Sequence, residues 1–182
     1  MFNINFPKID KKTFNDLELS LVEEKVKINI RGKNKDFFTK VGKITSIILP
    51  TEANTSSSNE KFNALWLSPD EWMIYFDGKD TNNVINNLFN EISKLNFGAI
   101  IDISDHWTCI NIKGRKTFDL LSSSSPFNFN SFKKNKNNVA QTVLNHTDVI
   151  IHHKEVDDVN LFVRRSFAED LWLWINDSAR FI

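Results

Sequence analysis

A β-hairpin is predicted by the segment Phe62-Asn63-Ala64-Leu65-Trp66-Leu67-Ser68-Pro69-Asp70-Glu71-Trp72-Met73-Ile74-Tyr75-Phe76. Residues 62–67 and 72–76 are rich in aromatic and other apolar side chains, which are common in strands. Residues 68–71 contain a proline and an aspartate, which favour a turn between the two runs. The elements on either side of this hairpin decide which kind of sheet it joins.

Before the hairpin, apolar and polar residues alternate over residues 26–30, as in a strand with one buried face. Residues 36–44 then carry an apolar stripe at helical spacing. After the hairpin, a helical stripe runs from Val84 to Leu95 behind Asp80-Thr81, and residues 99–104 again alternate like a strand. The order strand, helix, strand, strand, helix, strand is that of a ferredoxin-like unit.

The second half of the chain repeats this order of elements without repeating the sequence. Its predicted elements are a strand at 106–113, a short helix around Phe118, strands at 139–144, 148–153 and 160–164, and a closing aromatic helix at 166–177. Segments 50–61 and 128–138 are polar and aperiodic and are predicted as loops. We therefore expect an α+β protein of two closely packed ferredoxin-like halves, residues 1–96 and 97–182.

The closing helix carries a start signal and an unusually wide apolar face. Ser166 and Glu169 have the spacing of a capping box, which predicts that the helix begins at Phe167. One apolar stripe is expected to face the core, at Phe167, Leu171, Trp174 and Ile175. Because tryptophan and arginine are favoured anchors of interfaces, Trp172 with Arg164 and Arg165 is predicted to bind a partner.

Composition narrows the class of protein. The 182 residues are 41% hydrophobic, and 23 Lys and Arg balance 23 Asp and Glu, so no net charge favours a nucleic acid or an anionic membrane. A single cysteine, Cys109, rules out an internal disulfide and indicates a reducing compartment. Residues 1–7 lack the features of a secretory signal, and no apolar run is long enough to span a bilayer. We therefore expect a cytoplasmic protein.

No motif predicts a catalytic, cofactor or metal site in this chain. The five glycines lack the spacing of a phosphate-binding loop. His152 and His153 are neighbours on a predicted strand, so they should point to opposite faces and not share a metal. The cluster at 102–106, with two aspartates, a serine and a histidine, is interpreted as a strand end with a turn, and Cys109 as a buried small side chain.

Three segments point together to one family. Residues 64–72, Ala-Leu-Trp-Leu-Ser-Pro-Asp-Glu-Trp, resemble a family run L-W-L-G-P-D-E-W, and residues 165–172, Arg-Ser-Phe-Ala-Glu-Asp-Leu-Trp, resemble its closing R-S-F-A-x-x-L-W. Between them, residues 101–104 lead through His106 to Gly114 as in the same family. The chain resembles the gamma subunit of heterotetrameric sarcosine oxidase. Ser68 departs from the pattern, since the family usually has glycine there.

This resemblance implies a fold related to the folate-binding aminomethyltransferases and a noncatalytic role in assembly with a large alpha subunit and a beta subunit. It implies that the whole complex uses FAD, FMN, NAD and tetrahydrofolate, with no cofactor bound by this chain alone. The complex would oxidise sarcosine to glycine, give hydrogen peroxide, and pass the one-carbon unit to tetrahydrofolate. Whether the chain takes any part in that chemistry is left open.

Two alternatives stay open. The chain could be a freestanding folate-binding or one-carbon-transfer protein of the same fold, with Asp102 or Glu71 near the pterin and Trp66 or Trp107 stacking on it. It could also be a general α+β scaffold that recognises some other protein.

Overall fold

The computed structural model describes residues 10–22, 25–78 and 81–182, without the side chains of residues 81 and 82. The predictions for residues 1–7 and for Asp80 therefore lie outside the described residues. In chain order the elements are β1 (Lys11–Phe14), β2 (Leu17–Leu21), β3 (Lys25–Gly32), α1 (Lys35–Thr45), β4 (Ser56–Ser58), β5 (Phe62–Ser68), β6 (Glu71–Asp77), α2 (Thr81–Ile92), β7 (Gly98–Asp102), β8 (Trp107–Lys113), α3 (Thr117–Ser122), α4 (Phe129–Phe132), β9 (Val139–Leu144), β10 (Thr147–Glu155), β11 (Asp158–Arg164) and α5 (Ala168–Ser178).

The predicted hairpin is confirmed as β5 and β6, and it belongs to a five-stranded antiparallel sheet in the order β4-β5-β6-β3-β7. The predicted order of strand, helix, two strands, helix and strand is confirmed by β3, α1, β5, β6, α2 and β7. Along β6 the side chains alternate, so that Ile74 packs under the helices while Met73 and Tyr75 face the second sheet. The polar segment 50–61 is not all loop, because β4 pairs with β5 as an edge strand.

The second sheet has six antiparallel strands in the order β1-β2-β8-β11-β10-β9. Its β2 comes from the start of the chain and lies beside β8, in the position that β7 occupies beside β3 in the first sheet. The domain boundary at residue 96 stays a prediction. Each sheet contains strands from both sides of this residue, since β7 belongs to the first sheet and β1 and β2 belong to the second. Gly114, with φ of 128°, permits the close approach of this N-terminal hairpin, since a Cβ there would lie 2.1 Å from the Asp16 carbonyl oxygen.

The two sheets stack face to face, with helices on both outer faces. Helices α1 and α2 cover the first sheet, and α3, α4 and α5 cover the second, each over its own hydrophobic core. A third core lies between the sheets, and we call it the inter-sheet layer; its buried apolar members are Leu65, Met73, Tyr75, Cys109, Val139, Ile150 and Phe162. The predicted α+β fold class, with two packed sheet-and-helix units, is confirmed.

The closing helix begins later than predicted. Residues Arg165–Phe167 form a 3₁₀ turn, α5 starts at Ala168, and neither start is capped by a side chain, so the predicted capping box is wrong. The loop predicted at 128–138 also contains a short helix, α4, which buries Phe129 and Phe132.

The inward face of α5 is rotated relative to the prediction. Leu171 and Ile175 are buried as predicted, but Phe167 is 48% exposed and Trp172 only 4% exposed. The buried stripe of this helix consists of Ala168, Leu171, Trp172, Ile175 and Ala179. The prediction gave no weight to the two alanines, which mark the side where the helix approaches the sheet.

Candidate functional site

One end of the inter-sheet layer is closed by a chain of buried polar groups. The Tyr75 hydroxyl lies 2.7 Å from His152 Nδ1, and His152 Nε2 lies 2.9 Å from the Ser56 hydroxyl. The Asn160 amide donates to the Tyr75 oxygen at 3.1 Å, so the phenol directs its own proton to His152 Nδ1. His152 then carries its proton on Nε2 and donates to Ser56, which donates to the Asn137 carbonyl at 2.9 Å. We call this region the closed end.

The groups at the closed end are held in their neutral forms. Burial lowers the pKa of His152 to about 3 and raises the pKa of Tyr75 above its ordinary value. Burial likewise raises the pKa of the nearby Cys109 thiol to about 12, and the prediction that this small side chain is buried is confirmed. The closed end therefore joins the two sheets through buried, neutral hydrogen-bonding groups.

At the opposite end the sheets leave a cleft of about 800 Å³ between them. Its floor is apolar and includes Met73 and Ile150, one from each sheet. The ends of β5, β9 and β11 and the beginnings of β6, β8 and β10 form the rim of this cleft. One side of β7 also borders it. We call this region the open end. Its apolar floor is surrounded by polar and charged side chains, which could fix the orientation of a bound group.

One wall of the cleft carries a stacked cation. The Arg164 guanidinium lies 5.3 Å from the centre of the Trp107 ring, and Arg164 Nη1 donates to His106 Nε2 at 2.5 Å. His106 therefore accepts through Nε2 and carries its proton on Nδ1. Among the residues that the structure describes, no carboxylate forms an ion pair with Arg164. This cation thus remains available to an anionic group from outside the chain.

The facing wall belongs to the first sheet, and its charged side chains already have partners within the chain. Glu71 Oε1 accepts from the Asn29 amide at 2.6 Å, and its other oxygen lies 3.8 Å from Arg31 Nε. Arg31 also reaches Asp70 at 3.4 Å. The Ser68 hydroxyl, which stands where the resembled family has glycine, donates to Asp70 at 3.0 Å; this bond is the largest cause that lowers the pKa of Asp70, with Arg31 adding to it.

The three residues predicted to bind a partner do not lie together. Arg164 and Arg165 are adjacent at the end of β11, where Arg165 lies 3.4 Å from Asp105. Trp172 lies on the other face of the second sheet, buried in the core under α5. The prediction that Trp172 faces outward is therefore wrong, because its ring is needed in that core, while the role of the two arginines stays a prediction.

Two of the four residues named for a folate site share the cleft. Glu71 and Trp107 both line it, on opposite sheets. Trp66 instead packs toward the helices of the first sheet, and Asp102 accepts from the Ser104 hydroxyl at 2.6 Å in the turn after β7.

The histidines predicted to point to opposite faces do so. His152 lies in the inter-sheet layer, whereas His153 stacks on Phe132 in the helical core, 5.6 Å between ring centres. Within residues 10–22, 25–78 and 81–182, no group of three His, Cys, Asp or Glu side chains is placed to hold a metal ion. In the same ranges, no helix is both long and apolar enough to cross a membrane.

Sequence reasoning missed both ends of the inter-sheet layer. Alternation along β10 does place His152 on the same face as Ile150, but its partners Ser56 and Tyr75 are 96 and 77 residues away. Ser56 sits in a polar segment that gives no sign of burial. The cleft depends on how far apart the two sheets lie at one end, which no local pattern encodes.

Comparison with known proteins adds a family and a fold. The model of the family described as "Sarcosine oxidase, gamma subunit family" matches residues 31–180. A chain of the heterotetrameric sarcosine oxidase from Corynebacterium sp. U-96, in complex with pyrrole 2-carboxylate, superposes with a TM-score of 0.82 at 18% identity over 90% of this chain and 83% of that chain. No curated protein sequence matches.

A second solved structure shares the fold. The glycine cleavage system aminomethyltransferase T from Bartonella henselae superposes with a TM-score of 0.70 at 12% identity, over 91% of this chain. The match covers 47% of the aminomethyltransferase, so this chain spans about half of that protein. The expected relation to the aminomethyltransferase fold is confirmed.

Proposed function

We propose, because this chain belongs to the sarcosine oxidase gamma subunit family, that it is a noncatalytic subunit which assembles with a large alpha subunit and a beta subunit. The observation that carries this proposal is the family match over residues 31–180, which includes both sheets apart from β1, β2 and most of β3. The assembled enzyme would act in the cytoplasm, in keeping with the single buried thiol of Cys109.

The proposed complex oxidises sarcosine to glycine, reduces dioxygen to hydrogen peroxide, and transfers the one-carbon unit to tetrahydrofolate. In this proposal FAD, FMN, NAD and tetrahydrofolate are bound by the other subunits. The sequence of this chain supports that division, because its glycines lack the spacing of a phosphate-binding loop. Burial shifts the pKa values of Tyr75 and His152 strongly, but these two side chains bond to each other and do not line the cleft.

A role in assembly is supported by the extent of the shared fold. The chain spans about half of an aminomethyltransferase, so an aminomethyltransferase-like unit would need a second half from another polypeptide. The open cleft, where Arg164 forms no ion pair with a carboxylate of the described residues, gives such a polypeptide a place to dock.

Co-expression with the alpha and beta chains tests the proposal. Size-exclusion chromatography should show this chain in the same peak as the other two, and sarcosine oxidation should follow that peak. The proposal fails if the other chains form an active complex while this chain elutes alone.

The second candidate is a freestanding folate-binding protein, favoured by the presence of Glu71 and Trp107 in one cleft. A pterin stacked on Trp107 should quench tryptophan fluorescence when tetrahydrofolate is added to the isolated chain. The variant Trp107→Phe should lose that quenching, whereas Trp66→Phe, on the other side of the first sheet, should keep it. Absence of quenching at millimolar tetrahydrofolate ends this candidate.

A further inference from the structure

Strand β7 is an edge strand whose outer side is open. It pairs with β3 on one side, from Gly98 opposite Gly32 to Asp102 opposite Ile28. On its other side the described part of the chain places no strand. Its outward backbone N–H and C=O groups are therefore a template for another extended segment.

The surface around β7 is unusually apolar for an exposed edge. Ile101 is 59% exposed and Phe97, directly before the strand, is 77% exposed. Exposed edges are normally blunted by charge, proline or a covering element, since they otherwise promote aggregation. Of the five residues of β7, only Asp102 at its end is charged, and Gly98-Ala99-Ile100-Ile101 is uncharged, so most of this edge has the character of a surface that is covered in use.

The same edge borders the open end of the inter-sheet layer. Ile101 lines the cleft together with Trp107 and Arg164. At the other end of β7, Phe97 and Gly98 line a second depression of about 550 Å³, and Arg31 lines both. One continuous surface thus runs along β7, with a cation at the end nearest the cleft.

We infer that a partner subunit adds an extended segment along β7, sets an apolar side chain against Ile101, and places a carboxylate on Arg164. The backbone of β7 satisfies the hydrogen bonds of the added strand, and Arg164, which stacks on Trp107, supplies the charge complement. This inference rests on the proposed function, since the occupant is a subunit of the same complex. It replaces Trp172 by Ile101 as the apolar anchor beside Arg164.

The test is co-purification of the assembled complex with matched variants of this chain. Ile101→Asp puts a charge against the proposed strand, and Val156→Asp is its control, since Val156 is 81% exposed in the turn between β10 and β11. Arg164→Glu repels the proposed carboxylate, and Lys61→Glu is its control, since Lys61 also lies over an aromatic ring, that of Phe62 at 5.4 Å. Thermal unfolding of each free variant shows whether it is folded.

Ile101→Asp and Arg164→Glu should each reduce recovery of the complex by roughly tenfold or more, as expected for an anchor of an interface, while the two controls assemble like the wild type. If Ile101→Asp does not fold, Ile101→Thr takes its place, because threonine suits a strand. Normal assembly of either folded test variant would overturn the inference and leave the proposed function intact. Failure of the wild type to assemble would instead sink the proposed function. A free wild-type chain that dimerises through Ile101 would overturn the choice of partner in favour of a second copy.

Discussion

The closed end and the open end lie in the same inter-sheet layer but treat polar groups in opposite ways. At the closed end Tyr75, His152 and Ser56 are buried, neutral and bonded to one another across the two sheets. At the open end the polar groups of Arg164 and Glu71 are charged and reach solvent. The residues that join the sheets are therefore different from those proposed to bind another molecule, and the two groups can be changed separately.

The largest stability effect should come from apolar packing at the closed end. Phe162 is fully buried, with its ring 4.9 Å from that of Tyr75, so Phe162→Ala should lower the free energy of unfolding by about 3–5 kcal/mol. Trp107→Ala at the open end removes a larger but only half-buried ring and should cost less than half as much. Urea denaturation of both variants measures the difference, and equal losses would show that the open end is packed as tightly as the closed end.

Removal of one hydroxyl group tests whether the polar chain joins the sheets. Tyr75→Phe leaves His152 Nδ1 and the Asn160 amide without their partner, so the free energy of unfolding should fall by about 1–3 kcal/mol. Recovery of the complex with the other subunits should be unchanged once the variant is folded. An unchanged free energy of unfolding would mean that the chain of hydrogen bonds adds nothing to stability.

The pH dependence of stability should report His152. Its pKa in the folded chain, about 3, lies below the ordinary 6.5, so the unfolded chain takes up a proton first as the pH falls. This contribution to stability is therefore complete above about pH 6.5 and is lost below it, at up to about 1.4 kcal/mol per pH unit. Urea denaturation at several pH values gives the free energy of unfolding as a function of pH. Below about pH 6.5 this free energy should fall less steeply in His152→Gln than in the wild type. The variant His146→Gln changes an exposed histidine and should behave like the wild type. Equal slopes in all three proteins would contradict the assignment.

The smallest effect should appear in the turn between β5 and β6. Ser68→Gly introduces the glycine that the gamma subunit family usually has at this position, and it removes the hydroxyl group that donates to Asp70. The pKa of Asp70 should rise toward its ordinary value but stay below it, because Arg31 still lowers it. Carboxyl NMR titration of the two proteins measures this shift, and an unchanged pKa would show that Ser68 is not its main cause.

Local patterns predicted most of the fold. Alternation in residues 26–30 and 62–76 and the helical spacing around Leu88 depend on neighbours in sequence, and all three elements formed as expected. The pairing of β2 with β8 could not be predicted, because it joins Leu19 to Ile112 across about half of the chain. The inward face of α5 differs from the prediction, because the prediction counts large apolar side chains such as Phe167 and leaves out the buried Ala168 and Ala179.

The candidate site was predictable only in part. Arg164 was named from its chemistry alone, but its neighbours Trp107 and His106 precede it by more than 50 residues and meet it only through the pairing of β8 with β11. The sequence pattern places Ile101 only on one face of a strand. Its exposure arises because β7 is at the edge of the sheet, and strand order across a sheet is a property of the whole fold.

Hydrogen–deuterium exchange, measured on the free chain and on the chain within the complex, tests whether the partner subunit binds along β7. We expect exchange to slow on assembly in the amides of residues 98–102, where the added strand would bond, and to stay unchanged around Tyr75 and His152 at the closed end. Slowed exchange confined to the helices α1 and α2, with β7 as fast in the complex as in the free chain, would contradict it.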